Sequence, residues 1–143
     1  MIIRSLEMSD FPQWLPLWNA NNQGVVNEAV TTETWGRICD PDIQVFAMGA
    51  FEGEVLAGLV QYVVHPITGT IEPVCYMQDV FVDEEHRRKG IARRMVEELA
   101  RIGKREKWAR MYWLAERDNE AAAALYKNIG VTLDFALHIL PLK

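Results

Sequence analysis

The sequence predicts a mixed α/β (α+β) fold, in which a mostly antiparallel central sheet carries helices on both faces. Residues 43–82 consist of β-prone runs separated by turns, which indicates an antiparallel meander. Residues 83–140 alternate strand and helix patterns, so we expect helices to pack on that sheet. A length of 143 residues suits one domain, and residues 1–143 are expected to form a single core without metal or disulfide.

The N-terminal third is predicted to hold one strand and two helices. Ser9 or Asp10 is positioned to cap the first helix, and Pro12 is tolerated in its first turn. The apolar residues of that helix recur at spacings of three and four, which gives one buried stripe. In chain order, the expected elements are a strand at residues 2–6, a helix at residues 11–19, a loop at residues 19–30 and a helix at residues 31–39.

The remaining elements follow from changes of hydrophobic period. An amphipathic helix of about 14 residues begins at Ile91, because apolar side chains there return at helical spacing. Asp118 or Asn119 is expected to cap a later helix that Gly130 closes. The predicted strands are residues 45–51, 55–64, 71–82, 108–115 and Val131–Leu140.

Charge is distributed unevenly along the chain, whose net charge is −5. Residues 1–79 carry two basic and ten acidic residues, a net of −8, whereas residues 80–143 carry thirteen basic and ten acidic residues, a net of +3. We expect the second half to suit an anion and the first half to suit a cation. Many of the acids in the first half could equally face solvent.

Composition excludes several classes of protein. No apolar run approaches the roughly 20 residues that cross a bilayer, and the N-terminus lacks the apolar stretch of a secretion signal. Cys39 and Cys75 show no metal-ligand spacing and are expected to be reduced core residues of a cytoplasmic protein. The three histidines are scattered, so no metal site is expected.

A basic turn between a strand and a helix predicts an anion site, most naturally for a pyrophosphate. Arg87, Arg88 and Lys89 supply charge, and Gly90 allows the backbone to approach a ligand closely. The start of the following helix supplies unpaired N–H groups and a partial positive charge. The alternative is a solvated, charged loop. The turn lacks the Gly-Lys-Ser/Thr of a P-loop and the G-x-G-x-x-G of a dinucleotide site.

Asn119 and Tyr126 form a second candidate pair. They are seven residues apart, so they lie along one face of the predicted helix, and the alanines between them leave room for a slender ligand. A phenol with a pKa near ~10 suits protonation of a departing thiolate. The alternative is that Asn119 is only a helix cap and Tyr126 only a core aromatic.

These residues together resemble the GNAT superfamily of N-acetyltransferases. The stretch from Gln78 to Ala92 is similar to the family's acetyl-CoA motif, a strand followed by (Q/R)-x-x-G-x-(G/A). The stretch from Met111 to Tyr126 is similar to its next strand and helix, and is closest to small polyamine- or histone-type members. The order of elements matches over nearly the whole chain. The resemblance implies direct acetyl transfer from acetyl-CoA, as co-substrate, to a primary amine of a small molecule or peptide.

The resemblance also implies roles for individual residues. Val80, Phe81 and Val82 would offer backbone hydrogen bonds to the pantetheine arm and the acetyl carbonyl, at a splay between two strands. Asn119 would contact the pantetheine, and Tyr126 would protonate the coenzyme A thiolate as the catalytic acid. The residues expected at the pyrophosphate are Arg87, Arg88, Lys89, Gly90, Ile91, Ala92 and Arg93.

The group that deprotonates the amine is left open. Some polyamine-type members carry a glutamate where this chain has Gln78, and glutamine cannot accept a proton. Asp79, Glu116, His65 or a chain of waters could take that role instead. Gln78 is also the one feature that favours a rival interpretation, a non-catalytic acyl-CoA-binding or regulatory module.

Partners are predicted only in outline. The net acidic charge argues against nucleic-acid binding through the basic stretch at residues 87–110. No membrane partner is expected. Val131–Leu140 is expected to end the sheet as an edge strand, which makes a homodimer near this strand a reasonable expectation. The acceptor amine, and any use of acyl groups other than acetyl, are not determined by the sequence.

Overall fold

The sheet has five strands that lie side by side in chain order. The computed structural model describes residues 1–127 and 129–143. The first three neighbouring pairs are antiparallel, and the fourth and fifth strands are parallel. The predicted mixed, mostly antiparallel sheet is therefore confirmed. The strands are β1 Ile2–Ser5, β2 Val45–Glu52, β3 Val55–His65, β4 Val74–Val82 and β5 Met111–Tyr112.

Helices cover both faces of this sheet, as predicted. Two helices on one face enclose a core that includes Trp14, Phe51 and Leu59. A long helix on the other face packs Met95 and Leu99 against Val60 and its neighbours. The helices are α1 Phe11–Asn21, α2 Glu28–Cys39, α3 Ile91–Glu106 and α4 Glu120–Tyr126, with 3-10 turns at Met8–Asp10 and Glu84–His86.

The first helix begins without the predicted cap. Asp10 instead accepts hydrogen bonds from the Arg4 guanidinium at 2.8 and 3.0 Å and from the Glu7 N–H at 2.7 Å. The Arg4 guanidinium lowers the pKa of Asp10, although burial opposes the shift. This ion pair joins β1 to the turn before α1, so Asp10 stabilises the connection between strand and helix instead of capping the helix. Pro12 does lie in the first turn of α1, as expected.

The second helix starts three residues before the predicted position. The Asn27 side chain accepts a hydrogen bond from the Val30 N–H at 3.1 Å and so caps α2. Thr31, where this helix was predicted to begin, lies inside it, and its hydroxyl accepts from the Trp18 indole N–H at 2.9 Å. The predicted loop between α1 and α2 is correspondingly shorter.

The predictions for the last elements were partly wrong. The strand expected at residues 108–115 is reduced to the two residues of β5, and α4 ends at Tyr126, before Gly130 with its φ of +70°. Asn128, within that predicted helix, lies outside the described residues. Val131–Leu140 forms no strand and is exposed. The alternating pattern was present, but a strand also needs an edge to pair with, and none of its backbone bonds to β5.

A bulge in β4 changes which side chains face each helix layer. Gln61 pairs with Asp79, but the next residue of β3, Tyr62, pairs with Met77, so Gln78 has no partner. Met77 and Val80 therefore both contact the α3 side of the core. Asp79 consequently lies on the opposite face, beside α1. A regular strand would have placed Asp79 on the α3 face.

Candidate functional site

The opening between β4 and β5 is the central feature of the site. The two strands pair only at Cys75 with Met111 and at Tyr76 with Tyr112. Beyond these pairs β4 continues to Val82, bonded to β3 on one side. Its other side has no partner strand among residues 1–127 and 129–143. The predicted splay is therefore present, and it exposes backbone N–H and C=O groups in an extended row.

The start of α3 faces the end of this row. Gly90 is the residue before the helix and has a φ of +75°, which favours glycine. The first bond of this helix runs from the Arg94 N–H to the Gly90 carbonyl at 3.1 Å, and no side chain caps the helix. The N–H groups of residues 90–93 are thus available to an anion, and the helix dipole adds positive potential.

The basic residues of this turn differ in what they contact. The Arg87 Nε donates to the Val82 carbonyl at 2.9 Å, and its guanidinium lies 5.5 Å from the Phe81 ring centre. Lys89 lies 3.5 Å from Glu52, and Arg93 pairs with Glu97 at 3.1 Å. The Arg88 side chain contacts no acid in the part of the chain that the structure describes. The backbone of Arg88 itself is left-handed, with a φ of +66°. Arg87 therefore braces the turn, and Arg88 is the cation that is free to meet an anion.

The α4 helix brings Tyr126 to the α3 side of the sheet. Its ring lies 4.9 Å from the Trp113 ring centre, and it contacts the same core as Val80 and Val82. Burial raises the pKa of Tyr126, so the phenol stays protonated at neutral pH. Asn119 accepts a hydrogen bond from the Ala122 N–H at 3.0 Å, which confirms the capping role. Its contact with pantetheine stays a prediction.

A chain of hydrogen bonds holds Asp79 on the α1 side of the opening. The Trp14 indole N–H donates to Gln61 Oε1 at 2.8 Å, and Gln61 Nε2 donates to Asp79 Oδ2 at 2.8 Å. The Asn21 amide donates to Asp79 Oδ1 at 3.0 Å. Because an indole can only donate, Trp14 fixes which end of the Gln61 amide faces the carboxylate. Each carboxylate oxygen of Asp79 therefore accepts one hydrogen bond, which fixes the orientation of the group and leaves a lone pair on each oxygen for another donor.

Sequence reasoning named Asp79 but missed the residues that position it. Gln61 is buried in the middle of the apolar run of β3, and that isolated polar residue was the available signal. Trp14 belongs to the apolar stripe that was predicted for the first helix, and it is fully buried. Asn21 gave no signal, because it lies 58 residues from Asp79 in the chain.

The other two candidate bases lie away from the unpaired part of β4. His65 Nε2 is 2.7 Å from the Tyr112 hydroxyl, at the end where β4 and β5 are still paired. Tyr112 stacks on Tyr76 with ring centres 4.9 Å apart, on the same face as Asp79. Glu116 is exposed in the segment after β5. The α1 face thus presents a carboxylate and an aromatic surface to the opening.

A cavity of about 260 Å³ lies between α1 and α2. One of its lining residues, Asn22, follows Asn21, which donates a hydrogen bond to Asp79. The lining residues of the cavity are Trp18, Asn22, Val25, Asn27, Val30 and Thr31.

Among residues 1–127 and 129–143, no three or more His, Cys, Asp or Glu side chains are grouped to hold a metal ion. Within the same residues, no helix combines the length and the apolar character needed to span a bilayer.

Comparisons with known proteins agree with this architecture. The chain is 28% identical over 144 residues to the D-amino-acid N-acetyltransferase HPA3 of Saccharomyces cerevisiae, covering 96% of this chain and 89% of that protein. It superposes on a ribosomal-protein-alanine N-acetyltransferase from Brucella melitensis biovar Abortus 2308 with a TM-score of 0.83 at 23% identity, covering 99% and 100% of the chains. It also superposes on AAC(6')-Iy, solved in complex with the bisubstrate analogue CoA-S-monomethyl-acetylneamine, with a TM-score of 0.83 at 16% identity, covering 99% and 97%. The model of the acetyltransferase (GNAT) family matches residues 3–131, and the chain therefore belongs to that family of enzymes.

Proposed function

We propose that this enzyme transfers an acetyl group directly from acetyl-CoA to a primary amine of a small molecule or peptide. Family membership supports the reaction class. The observation that carries the proposal is the bulge at Gln78, which places Asp79 on the α1 face and Val80 on the α3 face of β4 where β5 has diverged. A carboxylate on one face and the Tyr126 phenol on the other suit an amine that enters from one side and a thiol that leaves from the other.

The donor is assigned to the splay and to the turn before α3. The backbone groups of residues 80–82 that face the opening would bind the pantetheine arm and the acetyl carbonyl, apart from the Val82 carbonyl, which accepts from Arg87. Residues 87–93 would bind the pyrophosphate. Arg88 would supply a positive charge that no acid neutralises, and Arg87 would stabilise the turn through its hydrogen bond to the Val82 carbonyl. Asn119 would meet the pantetheine at the start of α4. The CoA analogue bound to AAC(6')-Iy supports a coenzyme A donor in this fold.

The reaction then needs two proton transfers and no covalent acyl-enzyme. The neutral amine attacks the acetyl carbonyl carbon, and the tetrahedral intermediate breaks its C–S bond to release the coenzyme A thiolate. The thiolate takes the phenolic proton of Tyr126, and the tyrosinate regains a proton from solvent. The proton lost by the amine passes to Asp79, directly or through a water molecule, and Asp79 then releases it to solvent, which balances the proton that the tyrosinate takes up. The cysteines are not used, and burial raises the pKa of Cys75 to about 12, which leaves it a poor nucleophile.

Asp79 is our choice among the candidate bases. Two amide donors orient its carboxylate at the splay, whereas His65 is engaged with Tyr112 and Glu116 is exposed beyond β5. A carboxylate also attracts the cationic form of an amine before it loses its proton. Asp79 fits the expectation that the acidic half of the chain suits a cation, whereas Asp10 is paired with Arg4 and Glu52 lies near Lys89.

The acceptor is proposed to be a small amine with further polar or apolar groups. HPA3 is named for D-amino acids, and the ligand bound to AAC(6')-Iy carries a neamine unit. Tyr76 and Tyr112 offer a flat surface beside Asp79, and the cavity between α1 and α2 offers a mixed apolar and amide lining for a side group.

Release of thiol from acetyl-CoA, measured over a panel of polyamines, D- and L-amino acids, aminoglycosides and lysine peptides, tests the proposal. We expect turnover on at least one amine, and a decrease of about 100-fold in kcat for Asp79→Asn with acetyl-CoA binding unchanged. Glu116→Gln is the matched control and should retain full turnover. Binding of acetyl-CoA without turnover on any amine would favour the non-catalytic module instead.

We also propose a cytoplasmic location and a homodimer. The location is supported by two cysteines that are unpaired, with Cys75 fully buried.

A further inference from the structure

Two tyrosines extend the face of the sheet that carries Asp79. Tyr76 on β4 and Tyr112 on β5 are register partners, and their rings stack with centres 4.9 Å apart. Both tyrosines are only partly buried, whereas Cys75, which points to the α3 face from the same strand as Tyr76, is fully buried. The face that carries the two phenols is therefore open to a ligand beside the proposed site of acetyl transfer.

His65 fixes the direction in which the Tyr112 hydroxyl points its proton. His65 Nδ1 lies 3.0 Å from the Pro66 carbonyl, and His65 Nε2 lies 2.7 Å from the Tyr112 hydroxyl. Because a carbonyl oxygen only accepts, Nδ1 carries the proton of the neutral ring and Nε2 is the accepting nitrogen. Tyr112 therefore donates its one proton to His65 and keeps only lone pairs for a ligand.

Asp79 and the Tyr112 hydroxyl are spaced to bind the two ends of one small molecule. Tyr76 precedes Asp79 by three residues, one of which is the bulged Gln78, so the two residues are roughly 7–10 Å apart along β4. Tyr112 lies one strand further, about 4.8 Å to the side. Burial raises the pKa of Tyr76, and the neighbouring Tyr112 and Asp79 raise it further, so the three groups act on one another electrostatically.

Both ends of this surface accept hydrogen bonds. An ionised carboxylate only accepts, and the Tyr112 oxygen also only accepts once its proton is bonded to His65. A ligand that bridges Asp79 and Tyr112 must therefore carry a hydrogen-bond donor at each end. The reacting amine supplies the donor at Asp79, and a hydroxyl or another amine supplies the donor at Tyr112. An ether oxygen in the second position would face lone pairs and leave them unsatisfied.

We propose that Tyr112, positioned by His65, binds a second hydrogen-bond donor of the amine substrate, which lies about 10 Å from the nitrogen that is acetylated. The substrate is thus an amino alcohol or a diamine. This inference rests on the proposed acetyl transfer and adds the class of substrate to it. Tyr112 determines specificity, and His65 is a positioning residue because it acts through Tyr112. The stacked ring of Tyr76 holds the Tyr112 ring in place.

Four amines of similar chain length test the proposal on the wild-type protein. Hexylamine lacks a second polar group, aminohexanol and hexanediamine carry a hydrogen-bond donor at the far end, and methoxyhexylamine carries only an acceptor there. We expect kcat/KM for thiol release from acetyl-CoA to be about 5- to 10-fold higher for aminohexanol or hexanediamine than for the other two amines. Whichever of the two is preferred identifies the second group as a hydroxyl or an amine.

The outcomes separate this inference from the acetyl transfer on which it rests. Equal kcat/KM for the four amines, or turnover only of amines that lack a second donor, overturns the inference and leaves the acetyl transfer standing. A failure to acetylate any amine overturns both. The comparison needs no variant, so it does not depend on whether a variant folds.

Tyr112→Phe removes the hydroxyl and keeps the stacked ring. The ratio of kcat/KM for aminohexanol to that for methoxyhexylamine should fall to within about twofold. A general loss of folding would lower both rates by one factor and leave this ratio unchanged. Tyr62→Phe is the matched control, because it removes a hydroxyl from a tyrosine on the α3 side and should keep the wild-type ratio. A wild-type ratio in Tyr112→Phe would overturn the role of the hydroxyl.

His65→Leu tests the direction of the hydrogen bond. Without its accepting nitrogen, the Tyr112 proton is free to turn toward the ligand, and the hydroxyl then serves as a donor or an acceptor. Methoxyhexylamine should therefore be used nearly as well as aminohexanol. A ratio that stays at its wild-type value would show that His65 does not direct the hydroxyl, and would refute its positioning role.

Discussion

The hydrogen bonds that hold Asp79 make a prediction about the stability of the protein. Gln61→Met keeps the length of the side chain but removes the acceptor of the Trp14 indole N–H and one donor to Asp79. An unsatisfied buried N–H costs about 1–3 kcal/mol, and a lost hydrogen bond to a carboxylate costs about 1.5–3 kcal/mol. We therefore expect the free energy of unfolding to fall by roughly 3 kcal/mol.

The reciprocal variant isolates the bond between the two buried side chains. Trp14→Phe leaves Gln61 Oε1 without its donor, and it also removes part of a ring that packs against Trp18 and Trp35. In the double variant the indole N–H and the amide oxygen are both absent, so neither is left buried without its hydrogen-bond partner. Its loss of stability should therefore be smaller than the sum of the single losses by about 1–2 kcal/mol.

Urea unfolding followed by far-UV circular dichroism measures these differences without depending on tryptophan fluorescence. Trp108→Phe combined with Gln61→Met is the matched control, because Trp108 packs against Tyr62 on the α3 side of the sheet. That pair should be additive within about 0.5 kcal/mol. If Trp14→Phe and Gln61→Met are equally additive, the indole does not position the amide, and the chain of bonds to Asp79 fails as an explanation.

Three further predictions concern the site and the N-terminal ion pair. Tyr126→Phe should lower kcat by about 10²–10⁴-fold in a thiol-release assay and leave acetyl-CoA affinity nearly unchanged; an unaltered kcat would remove Tyr126 from the mechanism. Arg88→Ala should weaken acetyl-CoA binding by about 10-fold in calorimetry, whereas Arg101→Ala, an exposed arginine paired with Glu98, should have no effect. Because Arg4 lowers the pKa of Asp10, the pair should stabilise the fold above the unfolded-state pKa of about 3.9 and lose this stabilisation as the pH falls through the lower folded-state value. Asp10→Asn should therefore flatten the loss of stability in urea unfolding between about pH 5 and pH 2, and a slope equal to that of the wild type would contradict the pairing.

The elements that the sequence predicted well are those with strong local patterns. The meander strands and α3 agree with their predicted positions to within a few residues, since period and turn residues are local. The start of α2 was missed because Asn27 and Thr31 both resemble caps, and the choice depended on which one reached a free N–H. The final strand was wrong because alternation predicts a strand but not the presence of a partner edge.

The residues of the candidate site also divide into those that a local motif indicates and those that only the fold brings together. The candidate anion-binding turn at residues 87–93 and the candidate pair Asn119 and Tyr126 are short motifs, so they could be proposed from spacing. The support of Asp79 could not, because it joins Asn21 and Gln61, which lie 58 and 18 residues away in the chain. No local pattern reports a contact of that separation.

The sequence by itself determined the fold class and the family, and it indicated the turn at residues 87–93 as a candidate anion site, because each rests on periodicity or on a contiguous motif. The tertiary structure alone decided that Asp79 faces α1 while Val80 faces α3. That outcome depends on the bulge at Gln78, which exists only in the register of β4 against β3. Register is a property of two paired strands, and a single strand's sequence does not contain it.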